Sequence, residues 1–138
     1  MQIEIIEKDI PVLCAAAPSF PDGIMEAYDA IEKAFPDRKG RMFYGISKPN
    51  EQGVIVYKAA IEQKSAEEGK TSNLEAFTIP AGTYVSETVQ DFSFNPSEKI
   101  GGAFRTLLTD PRIDPTSWCI EQYIGDDTVK CMMRIVEE

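Results

Sequence analysis

The sequence contains no histidine. That absence removes Ser-His-Asp and Cys-His nucleophile arrangements, His-ligated zinc and His-ligated haem together. Cysteine is sparse and odd in number: Cys14, Cys119 and Cys131 have no metal-ligand spacing and suit a reducing compartment. Long apolar runs are missing too. None approaches the ~20 residues that cross a bilayer, and MQIEIIEKDIPV at the N-terminus lacks the basic-then-apolar layout of a secretory leader. Positive charge is scarce, with 14 Lys and Arg against 23 Asp and Glu, a net charge of −9. A nucleic-acid surface needs clustered cations to displace counterions from phosphates. Direct nucleic-acid binding is therefore not expected, and an anionic membrane is a poor partner. These absences point to a cytoplasmic protein with neutral or cationic partners, without cofactor or metal.

What is present is an ordinary globular mix. Over 138 residues, 43% apolar and 27% charged, the chain has material for one compact domain and too little for two. Residues 2–17 read as a strand broken near Pro11, since proline cannot donate to a ladder. Ile24, Tyr28, Ile31 and Phe35 recur at helical spacing until Pro36. RMFYGIS and GVIVYKAAIE read as strands joined by a turn-rich loop. QKSAEEGKTSN (63–73) is polar and aperiodic, the pattern of a linker. LEAFTIPAGTYVSETVQDF reads as strand, turn, strand. NPSEKIGGAFRTLL reads as a helix with Asn95 as N-cap, Pro96 in its first position and a stripe of Ile100, Phe104, Leu107 and Leu108. Its paired glycines lack the spacing of a phosphate-cradling loop. SWCIEQYIGDDTVKCMMRIV (117–136) reads as a closing hairpin.

The order strand, helix, strand, strand is thus written twice. VIVYKAAIE begins at residue 54 and VKCMMRIVE at residue 129, 75 apart. The expected fold is α+β, a tandem repeat of strand-helix-strand-strand units. It forms an antiparallel sheet with both helices on one face and a ligand groove on the other. The domain covers 1–138, with repeats at about 1–62 and 74–138 around the 63–73 linker.

Glu121 is the one carboxylate at the centre of a largely apolar strand. Side chains alternate along a strand. Trp118, Ile120 and Ile124 therefore share one face, and Cys119, Glu121 and Tyr123 the other. A four-residue turn centred on Asp126-Asp127 pairs Tyr123 with Lys130 and Glu121 with Met132. On that register Trp118 lies under the helices, and Cys119 and Cys131 point apart, too far for a disulfide. Glu121 then lies on the uncovered face with Phe43, Ile55, Tyr57, Tyr123 and Met132. An apolar, ring-rich surface with one carboxylate suits an apolar cation, each ring adding roughly 0.5–2 kcal/mol. The bland alternative is an exposed Glu121 paired with Lys130 or Arg134, contributing at most about 1 kcal/mol.

Four segments carry a resemblance: FYGIS, GVIVYKAAIE, FTIPAGTYVSETVQ and CIEQYIGDD. In this order, across essentially the whole chain, they resemble the gyrase-inhibitory-protein-like family. That family includes the effector-binding domains of AraC- and MerR-type multidrug regulators and stand-alone relatives. The resemblance implies a central groove for small, often lipophilic and cationic molecules, with the family's acidic residue at Glu121 and its strand aromatic at Tyr57. The chain departs from the pattern at Ala60, where glycine is usual. It departs again at Met132, Met133 and Arg134, where an aromatic followed by Ile-Pro is usual. The methionines make a softer wall, and Arg134 is a candidate to neutralise Glu121. No helix-turn-helix unit is read, so any role in transcription would run through another chain.

Three functions are expected from these readings. The first is a stand-alone binding or sequestering protein for hydrophobic cations, with Glu121 as anchor, Tyr57, Tyr123 and Phe43 stacking, and Ile55 and Met132 filling. The second is a hydrolase of electrophilic, cyclopropane-type molecules. In it Glu121 activates water and Tyr123 or Tyr57 protonates the leaving oxygen. The third is a protein-interaction module acting on a regulator or gyrase, or as a homo-oligomer.

Overall fold

The computed structural model describes residues 1–37, 40–92 and 96–136, apart from the Ser97 side chain. The order is β1 (Gln2–Ile6), β2 (Ile10–Ala16), α1 (Ile24–Ala34), β3 (Phe43–Pro49), β4 (Ile55–Glu62) and α2 (Ala66–Thr71). β5 (Glu75–Ile79), β6 (Gly82–Gln90), α3 (Pro96–Leu107), β7 (Cys119–Ile124) and β8 (Thr128–Arg134) follow. The strands form one antiparallel sheet in the order β1-β6-β8-β7-β3-β4-β2-β5. The α+β class and the placing of both long helices on one face agree with the sequence reading.

Two short connections dictate the shape of the sheet. Only Pro80 and Ala81 separate β5 from β6, and only residues 7–9 separate β1 from β2. Each pair stands six strand positions apart, about 29 Å in a flat sheet at ~4.8 Å per strand. Two or three residues span at most about 11–15 Å. The sheet must therefore curl into a half-barrel that brings its ends together. Its inner face closes on a cluster drawn from seven strands, including Val12, Tyr44, Ile79, Tyr84, Ile120 and Met132. Tyr84 Oη fastens the closure by donating to the Pro80 carbonyl at 2.7 Å.

The helices lie on the outer face. α1 packs Ala27 and Ile31 against Leu13, Ala59 and Ile61 of β2 and β4. α3 packs Ala103, Phe104 and Leu107 against Val85, Val129, Cys131 and Met133 of β6 and β8. The central strands β7 and β3 run between them and form the floor of an interhelical channel filled by the rings of Tyr28, Tyr57, Tyr123 and Phe92.

Several sequence expectations change. The first strand breaks at residues 7–9 rather than at Pro11, which sits inside β2. Residues 63–73 contain the short helix α2, whose Glu68 is ion-paired with Arg41 and accepts from the Lys64 N–H. The final hairpin has a three-residue loop, because Ile124 pairs with Thr128 and Gly125 adopts φ +66°. Glu121 therefore faces Cys131, and Tyr123 faces Val129. That one-residue change turns β7 over relative to β8, so Glu121 and Tyr123, expected on the uncovered face with the groove, lie instead on the face that carries the helices. Val129, Cys131 and Met133 join Glu121 under the helices, whereas Trp118, Lys130, Met132 and Arg134 turn to the inner face. Cys119 and Cys131 share a face, and both are free thiols. The expected N-cap Asn95 lies outside the described residues.

Leu107, the last residue of α3, is fully buried against the sheet, whereas Leu108, placed on the same stripe by sequence, is 58% exposed. Leu107→Ala should lower the unfolding free energy by about 2–5 kcal/mol, and Leu108→Ala by less than about 0.5 kcal/mol, in urea titrations.

Candidate functional site

The floor of the interhelical channel is built by register. Gly45 on β3 pairs with Glu121 on β7, Phe43 with Tyr123, and Ser47 with Tyr57 on β4. All six side-chain positions fall on the outer face. Gly45 is the position that makes the arrangement fit. A Cβ there would come within 2.2 Å of Tyr57 Oη and 2.6 Å of Glu121 Oε1. The two groups meet in the space its missing side chain leaves.

Tyr57 Oη donates to Glu121 Oε1 at 3.0 Å, and Tyr123 Oη donates to the same oxygen at 2.5 Å. Among the described residues no donor reaches Oε2. Tyr28 of α1 extends the network. Its hydroxyl lies 3.0 Å from Tyr57 Oη and 3.0 Å from the Tyr44 carbonyl. With the Tyr57 proton directed at Glu121, the Tyr28 proton has these two acceptors to choose between. The rings pack as well as bond. Tyr28 meets Tyr57 and Tyr123 edge to face at 6.4 and 6.0 Å. Phe92 meets Tyr123 at 5.4 Å. Phe20, in the β2–α1 connection, stacks on Tyr57 at 5.9 Å and 29° and is itself 45% exposed.

The electrostatics are unusual for a carboxylate. Glu121 is only 6% exposed, and among the described residues no Lys or Arg forms an ion pair with it. Lys130 instead meets Glu4 at 3.0 Å, and Arg134 approaches Asp114 at 3.8 Å, both away from the channel. This disposes of the exposed, base-paired alternative. Burial pushes the Glu121 carboxyl above its ordinary range, while the hydrogen bonds from Tyr123 and Tyr57 hold it back. Burial, reinforced by Glu121, also raises the Tyr57, Tyr123 and Tyr28 phenols. The same two causes push the neighbouring Cys119 thiol up to about 11 and Cys131 to about 12. These are inert thiols rather than nucleophiles.

Of the residues singled out from sequence, Glu121, Tyr57 and Tyr123 form one hydrogen-bonded group. Phe43 lies beside Tyr123, and Ile55 lies two residues along β4 from Tyr57 on the same face. Met132 does not join them; it is buried on the inner face. Sequence reasoning passed over Tyr28, Phe20, Phe92 and Gly45. Tyr28 had a signal, since a phenol on an otherwise apolar helix stripe needs a polar partner once buried. Among the described residues no group of His, Cys, Asp and Glu is arranged to hold a metal.

A carboxyl group with a raised pKa favours the folded state most when protonated. That contribution is full below the unfolded-state value, near 4.3, and is lost as pH rises through the folded-state value. Glutamine keeps an acceptor for both phenols and cannot ionise. The melting temperature of Glu121→Gln relative to the parent should therefore climb between pH 4 and pH 8. A flat or falling difference in calorimetric scans would contradict the raised pKa.

Neither a protein-family model nor a curated protein sequence matches the chain. Solved structures do. SAV2435, solved bound to tetraphenylphosphonium, superposes with a TM-score of 0.67 at 10% identity, over 98% of this chain and 93% of that one. The integron cassette protein VCH_CASS2 from the mobile metagenome of Vibrio cholerae gives 0.70 at 13% identity, over 98% and 95%. The EcmrR C-terminal domain gives 0.69 at 14% identity, over 99% and 97%. At these identities the likeness is one of fold: the chain has the gyrase-inhibitory-protein-like fold that its four sequence segments implied.

Proposed function

We propose that the chain binds lipophilic organic cations in the channel between α1 and α3, with Glu121 as the charge anchor. The observation that carries this reading is a buried carboxylate whose partners are phenols and which, among the described residues, has no cation in ion-pair range. Burying such a charge costs several kcal/mol unless an opposite charge joins it. A ligand cation supplies that charge. Tyr57, Tyr123 and Phe43 offer ring faces, each worth roughly 0.5–2 kcal/mol to a cation, and Ile55 extends the apolar wall. Phe20 is the ring a ligand displaces, because it covers Tyr57 from a connecting segment and is already half in solvent. The fold shared with SAV2435, solved with tetraphenylphosphonium, supports the same ligand class.

A second reading has a specific observation behind it. A carboxyl group raised by burial and touched by two phenols is also an acid–base pair. Hydrolysis of a strained electrophile would use Glu121 toward water and Tyr123 or Tyr57 toward the leaving oxygen.

Calorimetric titration with tetraphenylphosphonium at pH 8 separates the two readings. Binding should weaken by about tenfold or more in Glu121→Gln, and neutral triphenylphosphine oxide should bind at least about tenfold more weakly than the cation. Equal affinity of the parent and Glu121→Gln for the cation would remove the anchoring role. Turnover of a cyclopropane electrophile, lost in Glu121→Gln, would establish the second reading.

A further inference from the structure

The inner face of the curl carries a constellation of the opposite sign. A cavity of about 130 Å³ opens where the Pro80-Ala81 connection draws β5 and β6 together. Phe77, Tyr84, Trp118 and Ile120 make its apolar walls, and Arg134 and Asp114 its polar end. Phe77 and Trp118 meet edge to face at 5.4 Å and 80°.

Arg134 is held in place without being used up. Its guanidinium lies against Gly82, where an added Cβ would fall 2.6 Å from Nε. Nε is buried and has no acceptor, the sole such side-chain atom among the described residues. Nη1 approaches Asp114 Oδ2 only at 3.8 Å, beyond hydrogen-bond range. The other carboxylate oxygen of Asp114 is turned to Thr116, accepting from its N–H at 2.9 Å and its hydroxyl at 2.7 Å. Two lysines add to the charge. Lys48 Nζ and Lys58 Nζ each lie 5.4 Å from the Trp118 ring centroid. Lys58 is paired with Glu75. Lys48 donates to the Thr116 carbonyl at 3.1 Å and has no carboxylate in ion-pair range among the described residues. Asp9, accepting from the Ala81 N–H at 2.8 Å, joins Asp114 and Glu75, so three carboxylates stand near these three cations, but none of the three hydrogen-bonds Arg134.

We propose that this cavity is a second ligand site, for a small aromatic carboxylate. The aromatic ring enters between Tyr84 and the Phe77–Trp118 pair. The carboxylate meets the terminal nitrogens of the Arg134 guanidinium, where Nη1 has Asp114 only at 3.8 Å. The volume sets the size of the guest. Cavities near 150 Å³ accept benzene, so one ring fits and a fused or multi-ring molecule does not. Arg134 and the two lysines turn cations away. The site is therefore complementary in charge to the Glu121 channel and lies on the other side of the same sheet.

Trp118 is the chain's single tryptophan, so its emission reports on this cavity alone. Benzoate, benzyl alcohol and benzyltrimethylammonium are titrated against that emission. Benzoate should give a saturable change, benzyl alcohol should bind about tenfold more weakly or less, and the ammonium should leave the signal unaltered. Arg134→Gln should raise the benzoate Kd about tenfold or more, and Arg134→Lys, which keeps the charge without the fork, should fall between. Lys48→Gln, at an exposed rim, should raise it about threefold and serves as the test if circular dichroism finds the Arg134 variants unfolded. The proposal is overturned by an unsaturable benzoate response, by equal affinities for benzoate and benzyl alcohol, or by benzoate binding that folded Arg134→Gln and Lys48→Gln both leave unchanged.

Discussion

A single carboxylate oxygen organises the outer face of this protein. Glu121 Oε1 accepts hydrogen bonds from both phenols, Tyr57 and Tyr123, above a glycine that has no side chain to intervene. Each feature around it follows from making that meeting possible. β3 and β7 must be neighbours in a register that sets Gly45 opposite Glu121. The two long helices stand apart, over β2/β4 and β6/β8, so that over the central strands α1 contributes the Tyr28 side chain. The phenols replace water as donors but bring no positive charge, so the buried carboxyl group stays costly when ionised. That residual cost is the physical basis of the proposed cation preference.

The curl of the sheet gives the molecule two chemically different faces. Outside, the interhelical channel gathers rings around an acid. Inside, the closure through Pro80 and Ala81 gathers rings around Arg134. The basic residues that the sequence offers as partners for Glu121 are the ones the final hairpin sends inward, Lys130 to Glu4 and Arg134 toward Asp114. Charge separation across one sheet is thus a consequence of strand alternation and of the length of one loop.

That loop also marks the limit of what the sequence makes legible. Local periodicity is enough for both long helices, the strand order along the chain and the alternation within β7, so Glu121, Tyr57, Tyr123 and Phe43 were recognisable as neighbours on one surface. Which surface is a different matter. GDDT reads equally well as a two- or a three-residue hairpin loop, and the choice turns on Gly125 adopting a positive φ. The wrong choice carried Met132 to the acid and Trp118 under the helices. Tyr28 and Phe20 come from outside the strands, and only the packing of α1 and its preceding segment brings them to Tyr57. Residues 63–73 looked structureless because α2 is short and exposed, with its order coming from Glu68 meeting distant Arg41.

The most direct test of the account is a crystal structure of the protein with tetraphenylphosphonium. The account predicts the cation between α1 and α3, one phenyl ring in the position Phe20 now holds over Tyr57, and the phosphorus facing the unused Oε2 of Glu121. A cation seated on the inner face of the half-barrel, or on the surface with the Glu121–phenol group still covered by Phe20, would contradict it.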